Sequence, residues 1–186
     1  MEKNLRQESS EVKKIVICGP ESTGKSTLTK NLASYYNTSF AKEFARDFLQ
    51  HKWDSTQTVC TEKDLIDIVK GQIGNENKSL LKADKFLFCD TNILTTIAWS
   101  KTHFDGHCNE WIIDQSKKIS YDYYLILNVD TEWVQDDLRD RPNEREKMFE
   151  AHKLELDLLG VSYDIIKGPD YKKRFEDSLD FISKNS

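Results

Sequence analysis

The chain has 186 residues, with 27 Lys and Arg against 32 Asp and Glu, a formal net charge of −5. This length fits one domain with a sizeable core. The acidic balance and dispersed basic residues give no case for nucleic acid or an anionic membrane as partner, and no stretch is apolar long enough to span a bilayer. Residues 1–12 read as a flexible polar tail with no apolar signal segment, and 13–186 as a single domain. The four cysteines, Cys18, Cys60, Cys89 and Cys108, form no C-x-x-C pair. Cys18 and Cys89 fall inside apolar runs and read as small buried hydrophobes, a pattern that suits reduced thiols in a cytoplasm.

The apolar run Ile15-Val16-Ile17-Cys18 predicts a strand. It leads into Gly19-Pro20-Glu21-Ser22-Thr23-Gly24-Lys25-Ser26, which fits the phosphate-binding pattern G-x-x-x-x-G-K-[ST]. Gly19 and Gly24 open backbone angles closed to other residues. The loop through Glu21, Ser22 and Thr23 then turns successive N–H groups toward an anion. A helix starting near Lys25 adds the unpaired N–H groups and positive dipole end of its first turn, with Thr27 beside them. Lys25 would reach the β- and γ-phosphates of ATP, and the Ser26 hydroxyl would ligate Mg²⁺. The G-x-G-x-x-G spacing of dinucleotide sites is absent, which favours a nucleoside triphosphate.

Ser26 to Tyr36 continues as a helix with Leu28, Leu32 and Tyr35 on one face. Thr38 to Ala41 is a short strand, and Lys42 to Leu49 opens a helix carrying Glu43 and Arg46 three residues apart. Two readings of that pair stand: a solvated i,i+3 ion pair, or substrate contacts beyond the carboxyl end of a strand. Thr61 to Leu81 is a helix announced by Thr61-Glu62-Lys63-Asp64, an [ST]-x-x-[DE] start. Gln72 interrupts its apolar face of Leu65, Ile68, Val69 and Ile73, so it is either partnered in the core or open to a cavity. Phe86-Leu87-Phe88-Cys89-Asp90 is a buried parallel strand ending in an acid, the place for a carboxylate that holds Mg²⁺.

Thr91 to Lys101 reads as a helix. His103 to Cys108 reads as a polar loop; a zinc site there lacks a second ligand pair at the usual spacing. A helix over Trp111–Ile119 and a strand over Tyr121–Val129 follow. The charged segment Asp130 to Arg145 is either a solvated loop or a mobile lid, whose Arg139 would clamp the transferring phosphoryl group. A helix from Glu144 stops at Gly160. Tyr163 to Ile166 is the last strand, and Gly168-Pro169-Asp170 opens a final helix through Phe181. The alternation predicts an α/β fold of about five strands.

With these residues the chain resembles the nicotinamide riboside kinase domain of the NadR-like family, from about Lys14 to Phe181. The resemblance is carried by the loop 19–26, Glu43, Arg46, Gly71-Gln72, Asp90-Thr91, Thr131-Glu132-Trp133-Val134 with Asp136 and Arg139, and Gly168 with Arg174-Phe175. It implies a P-loop NTPase three-layer sandwich, a parallel five-stranded sheet of order 2-3-1-4-5, and an arginine-bearing lid. It implies ATP with Mg²⁺ as donor and phosphorylation of the 5′-hydroxyl of nicotinamide riboside. Lys25, Asp90 and Arg139 would be catalytic, Gly168 would join the ATP site, and Glu43, Arg46, Gln72, Asp90, Thr91 and Trp133 would face the acceptor. Asn92 stands where the family often has a second acid, and Gln135-Asp136-Asp137-Leu138-Arg139 replaces a D-D-G-x-R pattern. That leaves Asp90 for the metal and Glu43 for the acceptor hydroxyls, with the general-base role open to either. Nothing matches the H-x-G-H signature of an adenylyltransferase, so a stand-alone kinase domain is expected.

Two other readings compete. A kinase for another nucleoside or small alcohol would share the loop and Asp90. A GTPase switch or regulatory ATPase would share only the loop, and no N-K-x-D guanine motif follows the strand that ends near Asn128.

Overall fold

The computed structural model describes residues 6–8 and 10–185; Met1 to Leu5 and Ser9 of the expected tail lie outside them. The apolar, β-branched and aromatic runs form five strands among the described residues: β1 (Lys13–Cys18), β2 (Phe40–Ala41), β3 (Phe86–Asp90), β4 (Tyr123–Leu127) and β5 (Tyr163–Ile166). All pairings are parallel, in the order β2-β3-β1-β4-β5. Parallel neighbours require crossover connections. These carry α1 (Lys25–Tyr35), α2 (Phe44–Thr56), α3 (Glu62–Leu80), α4 (Ile93–His103), α5 (Glu110–Ser116) and α6 (Arg145–Leu159), and α7 (Tyr171–Asn185) follows the last strand.

Side chains alternate across the sheet. Ile15, Ile17, Phe86, Phe88 and Leu125 pack with Leu28 and Leu32 of α1 and Ile182 of α7. Val16, Leu87, Cys89, Tyr124 and Ile126 pack with residues of α3, α4, α5 and α6. The result is the three-layer P-loop sandwich in the strand order that the resemblance implied. Each fully buried Ile, Leu or Phe contributes roughly 1.5–3 kcal/mol, so the two apolar faces hold the sheet. No helix among the described residues is long and apolar enough to cross a membrane.

The element ends follow from capping chemistry. Thr61 and Asp64 form a reciprocal capping box on α3. The Asn92 carboxamide accepts from Leu94 N (3.1 Å) and Thr95 N (3.4 Å) and starts α4. Gly160, at φ 64°, stops α6. Several element bounds differ from expectation, among them those of β4 and α2. Strand β4 begins at Tyr123 rather than Tyr121, and the Asp122 carboxylate just ahead of it accepts from Lys14 N at 2.8 Å. Helix α2 runs on to Thr56, past the expected eight residues. From Asn128 to Arg141 the chain has no regular secondary structure. Within the expected tail, Arg6 O and Glu8 N bond the Asn77 carboxamide of α3.

Candidate active site

The loop after β1 takes its shape from three left-handed positions. Gly19 sits at φ 128°, where an added Cβ would stand 2.7 Å from the Leu127 carbonyl oxygen of β4. Ser22 has φ 58° and Gly24 φ 86°, and Gly24 is the N-cap of α1. The Thr23 hydroxyl donates to Pro20 O (2.8 Å), and Lys25 Nζ donates to the same oxygen (2.7 Å). With no acidic residue in its first turn, α1 presents the positive end of its dipole to whatever the loop holds.

Two networks brace this loop. Arg174 of α7, 1% exposed, donates to Thr23 O (2.7 Å), Asn128 O (3.0 Å) and Gly168 O, and pairs with Asp130. Gly168 N donates to the same aspartate at 2.6 Å. Gly168 therefore belongs to the brace and is not among the residues lining the cavity described below. On the other side, the Ser22 hydroxyl donates to Glu132 O (3.2 Å) and accepts from Val134 N (2.8 Å), while Thr131 Oγ1 donates to Ser22 O (2.8 Å). Arg145 then holds Thr131 O at 2.8 Å. This seam turns Trp133 away: its indole donates to Gln135 Oε1 and its ring faces the Arg145 guanidinium at 5.9 Å. Trp133 lines a small hollow with Pro20, Glu21 and Arg141. Trp133 was expected at the acceptor, and the structure does not bring it to the main cavity.

The main cavity has a volume of about 690 Å³. Its polar floor is the loop from Gly19 to Thr27 with Glu43, Thr91 and Asn92, and Arg46 and Arg139 stand at its rim. Asp90 ends β3 beside Ile17 of β1. It is 2% exposed, and its Oδ1 has no hydrogen-bond partner. Burial pushes its pKa up, opposed by the Ser26 hydroxyl and by the Lys25 charge. Glu43 follows β2 and is pushed up to about 7 by burial and then by the Asp90 charge, against Lys25 and Arg46. Two acids so close resist ionising together.

Arg46 does not pair with Glu43. Its guanidinium forks onto Asp136, at 2.6 and 3.2 Å, and so ties the 130–141 segment to α2. Arg139 contacts the same carboxylate at 3.2 Å and donates to Val134 O. Gln72 lines the cavity but is fully partnered: Oε1 accepts from Phe44 N, and Nε2 donates to Thr91 O and Glu76. Gln72 therefore both lines the cavity and braces it. Asp90 Oδ1 and the Ser26 hydroxyl are hard oxygen donors that fit Mg²⁺, an ion that takes few protein ligands alongside phosphates and water. His103 stacks on Trp99 (3.9 Å between centroids) while His107 pairs with Glu62 at 2.6 Å, so these two histidines point to different partners.

The same lining has an apolar part made by Leu49, Trp53, Leu65, Trp99 and Phe104. Sequence reasoning missed these as site residues and also missed His152. Burial holds His152 neutral, pushed down to about 4. Its Nδ1 bonds Met148 O at 2.8 Å, and its Nε2 has no partner. The one available signal was that His152 breaks the apolar face of α6 between Phe149 and Leu156, as Gln72 does in α3.

A glycine-shaped loop between a central strand and a helix, in a 2-3-1-4-5 parallel sheet with an acid ending the adjacent strand, defines a P-loop nucleotide-binding protein. Residues 14–174 match the family model described as an AAA domain, and the chain belongs to that family. The trifunctional NAD biosynthesis/regulator protein NadR of Escherichia coli (strain K12) is 28% identical over 167 residues, covering 88% of this chain and 40% of that protein. The chain thus spans about two fifths of the curated relatives it matches. Among solved structures, NadR protein in complex with NR aligns with a TM-score of 0.76 at 21% identity, over 94% of this chain and 51% of that one. Deoxyadenosine kinase from M. mycoides with bound dATP aligns at 0.64 and 15% identity, over 92% and 99%.

Proposed function

We propose that this chain transfers the γ-phosphoryl group of ATP to the 5′-hydroxyl of nicotinamide riboside. The observation that carries the reading is the cavity itself. Its lining brings the phosphate loop, Lys25 and the Glu43 carboxylate together with the aromatic side chains of Trp53, Trp99 and Phe104, and Asp90 ends the strand paired beside β1. Such a cavity accommodates a flat base with its sugar hydroxyl turned toward the phosphates. The similarity to NadR, seen with NR bound in one neighbouring structure, supports nicotinamide riboside as acceptor.

Phosphoryl transfer needs positioning and charge neutralisation more than covalent help. Lys25, released from Pro20 O, meets the β- and γ-phosphates, and the α1 N-terminus adds backbone donors. Ser26 and Asp90 would hold Mg²⁺, which supplies positive charge against the phosphate oxygens. Glu43 is the better general base, since a carboxyl that titrates near neutrality takes a hydroxyl proton most effectively at that pH. Asp90 is committed to the metal. Arg139 clamps the transferring group from the 130–141 segment, where its planar fork matches phosphate oxygens.

The test is ATP consumption with nicotinamide riboside as acceptor, and product identified by mass. Formation of the mononucleotide, lost in Glu43→Gln mainly through kcat, supports the reading. A wild-type enzyme that ignores nicotinamide riboside but phosphorylates another nucleoside makes the acceptor assignment wrong. Nucleotide binding with no acceptor at all makes the chain a regulatory ATPase.

A further inference from the structure

Phe44 opens α2, so its N–H has no partner within the helix; it donates instead to Gln72 Oε1 at 2.9 Å. Gln72 Nε2 donates to Thr91 O at 3.3 Å. Phe44 directly follows Glu43, and Thr91 directly follows Asp90. One amide thus struts the two turns that present the carboxylates. The strut works in one orientation only. Flipped, the amide would set its NH₂ against the Phe44 N–H and its oxygen against the Thr91 carbonyl. Glu76, one helical turn on, accepts from Gln72 Nε2 at 3.3 Å and from the Tyr121 hydroxyl at 2.9 Å. Glu76 is buried and is not part of the cavity wall.

We propose that Glu76, held by Tyr121, is a positioning residue: it fixes the orientation of the Gln72 amide and through it the relative placement of Glu43 and Asp90. Once Glu76 is ionised, an acceptor beside Nε2 makes the flipped amide, oxygen against oxygen, unfavourable, so both arms of the test are run above about pH 7. What matters is acceptance of a hydrogen bond, so an amide oxygen at position 76 serves as well as a carboxylate.

The kinetic arm of the test builds on the proposed kinase activity; the exchange arm does not. Hydrogen exchange of the Phe44 amide, read by NMR, is measured with no acceptor present, together with the Kd of an ATP analogue. Glu76→Leu should speed Phe44 exchange at least tenfold and lower kcat/KM for nicotinamide riboside at least tenfold, chiefly in kcat. The Kd of the ATP analogue should stay within twofold. Glu76→Gln should recover both losses to within threefold of wild type. Unchanged Phe44 exchange in Glu76→Leu, a Gln variant as impaired as the Leu one, or an equal loss of ATP affinity would each overturn the proposal. Should Glu76→Leu fail to fold, Tyr121→Phe carries the test, with exchange at least threefold faster expected and an unchanged rate overturning it. A wild-type protein inactive on nicotinamide riboside would sink the functional reading, while the exchange data would still decide this one.

Discussion

Replacing Glu76 with Gln should flatten the dependence of stability on pH. Burial pushes Glu76 up from an ordinary 4.5 to about 7, against hydrogen bonds from Tyr121 and Gln72 and the charge of Lys14. Lys14 faces it from β1 and Cys89 from β3, and burial moves each of these toward its neutral form. A folded-state value raised above the unfolded one means that the folded chain binds this proton more tightly. The stabilisation is therefore complete below the unfolded value, fades as pH rises, and is gone above about pH 7. At about 1.4 kcal/mol per unit the whole span amounts to roughly 3 kcal/mol. Most of it, roughly 2–3 kcal/mol, falls between about pH 5 and pH 8. For a domain of this size that corresponds to about 5–10 °C in Tm. The assay is urea unfolding followed by tryptophan fluorescence at unit pH intervals over that range. Wild type should lose more stability than Glu76→Gln by about that amount, with Glu43 contributing equally to both. Curves that stay parallel within about 0.5 kcal/mol, the scatter of neutral substitutions, would refute the reasoning.

Lys25→Ala should leave circular dichroism unchanged and lower kcat by roughly 10²–10³, because its one recorded bond is to a carbonyl of its own loop; activity near wild type would remove the loop from the chemistry. Arg174→Met should destabilise by about 3–5 kcal/mol, since it strips the buried partner from an aspartate and three carbonyls; a melting temperature within about 2 °C of wild type would contradict the bracing role. The two glycines of α3 should diverge. Gly74→Ala meets open space and should gain about 0.5–1 kcal/mol, whereas Gly71→Ala drives a methyl into the Phe44 ring and should lose about 1–3 kcal/mol. Equal melting shifts for the pair would contradict the packing described.

Strand β3 was legible to the residue because it is an apolar run closed by an acid, and β5 because its Tyr163, Ile165 and Ile166 stand between the Gly160 stop of α6 and Gly168. The loop 19–26 was legible because its glycines answer to backbone geometry alone. Strand β2 shrank to two residues, as an edge strand paired only with β3 carries little pattern of its own. Arg46 lines the cavity, as one of its two readings had it, but its partner Asp136 was out of reach of local pattern because it lies 90 positions away. Trp133 carries the same indole in either direction, and only the Ser22 seam turns it outward. Asn92, noted as the loss of an acid, is the cap of α4. The aromatic wall was hidden for a different reason: a core side chain and a cavity side chain obey the same helical period.

The Arg174 brace has a consequence for the order in which the protein becomes competent. Its bond to Thr23 O joins positions 151 residues apart. During synthesis the phosphate loop is made early, and its outer carbonyl waits for a guanidinium that arrives about 8–30 s later at ordinary elongation rates. A nascent chain stopped ahead of Tyr171 carries the whole nucleotide motif yet lacks the group that holds it in shape. Capture of such stalled chains on an immobilised ATP analogue should therefore begin only once α7 has left the ribosome.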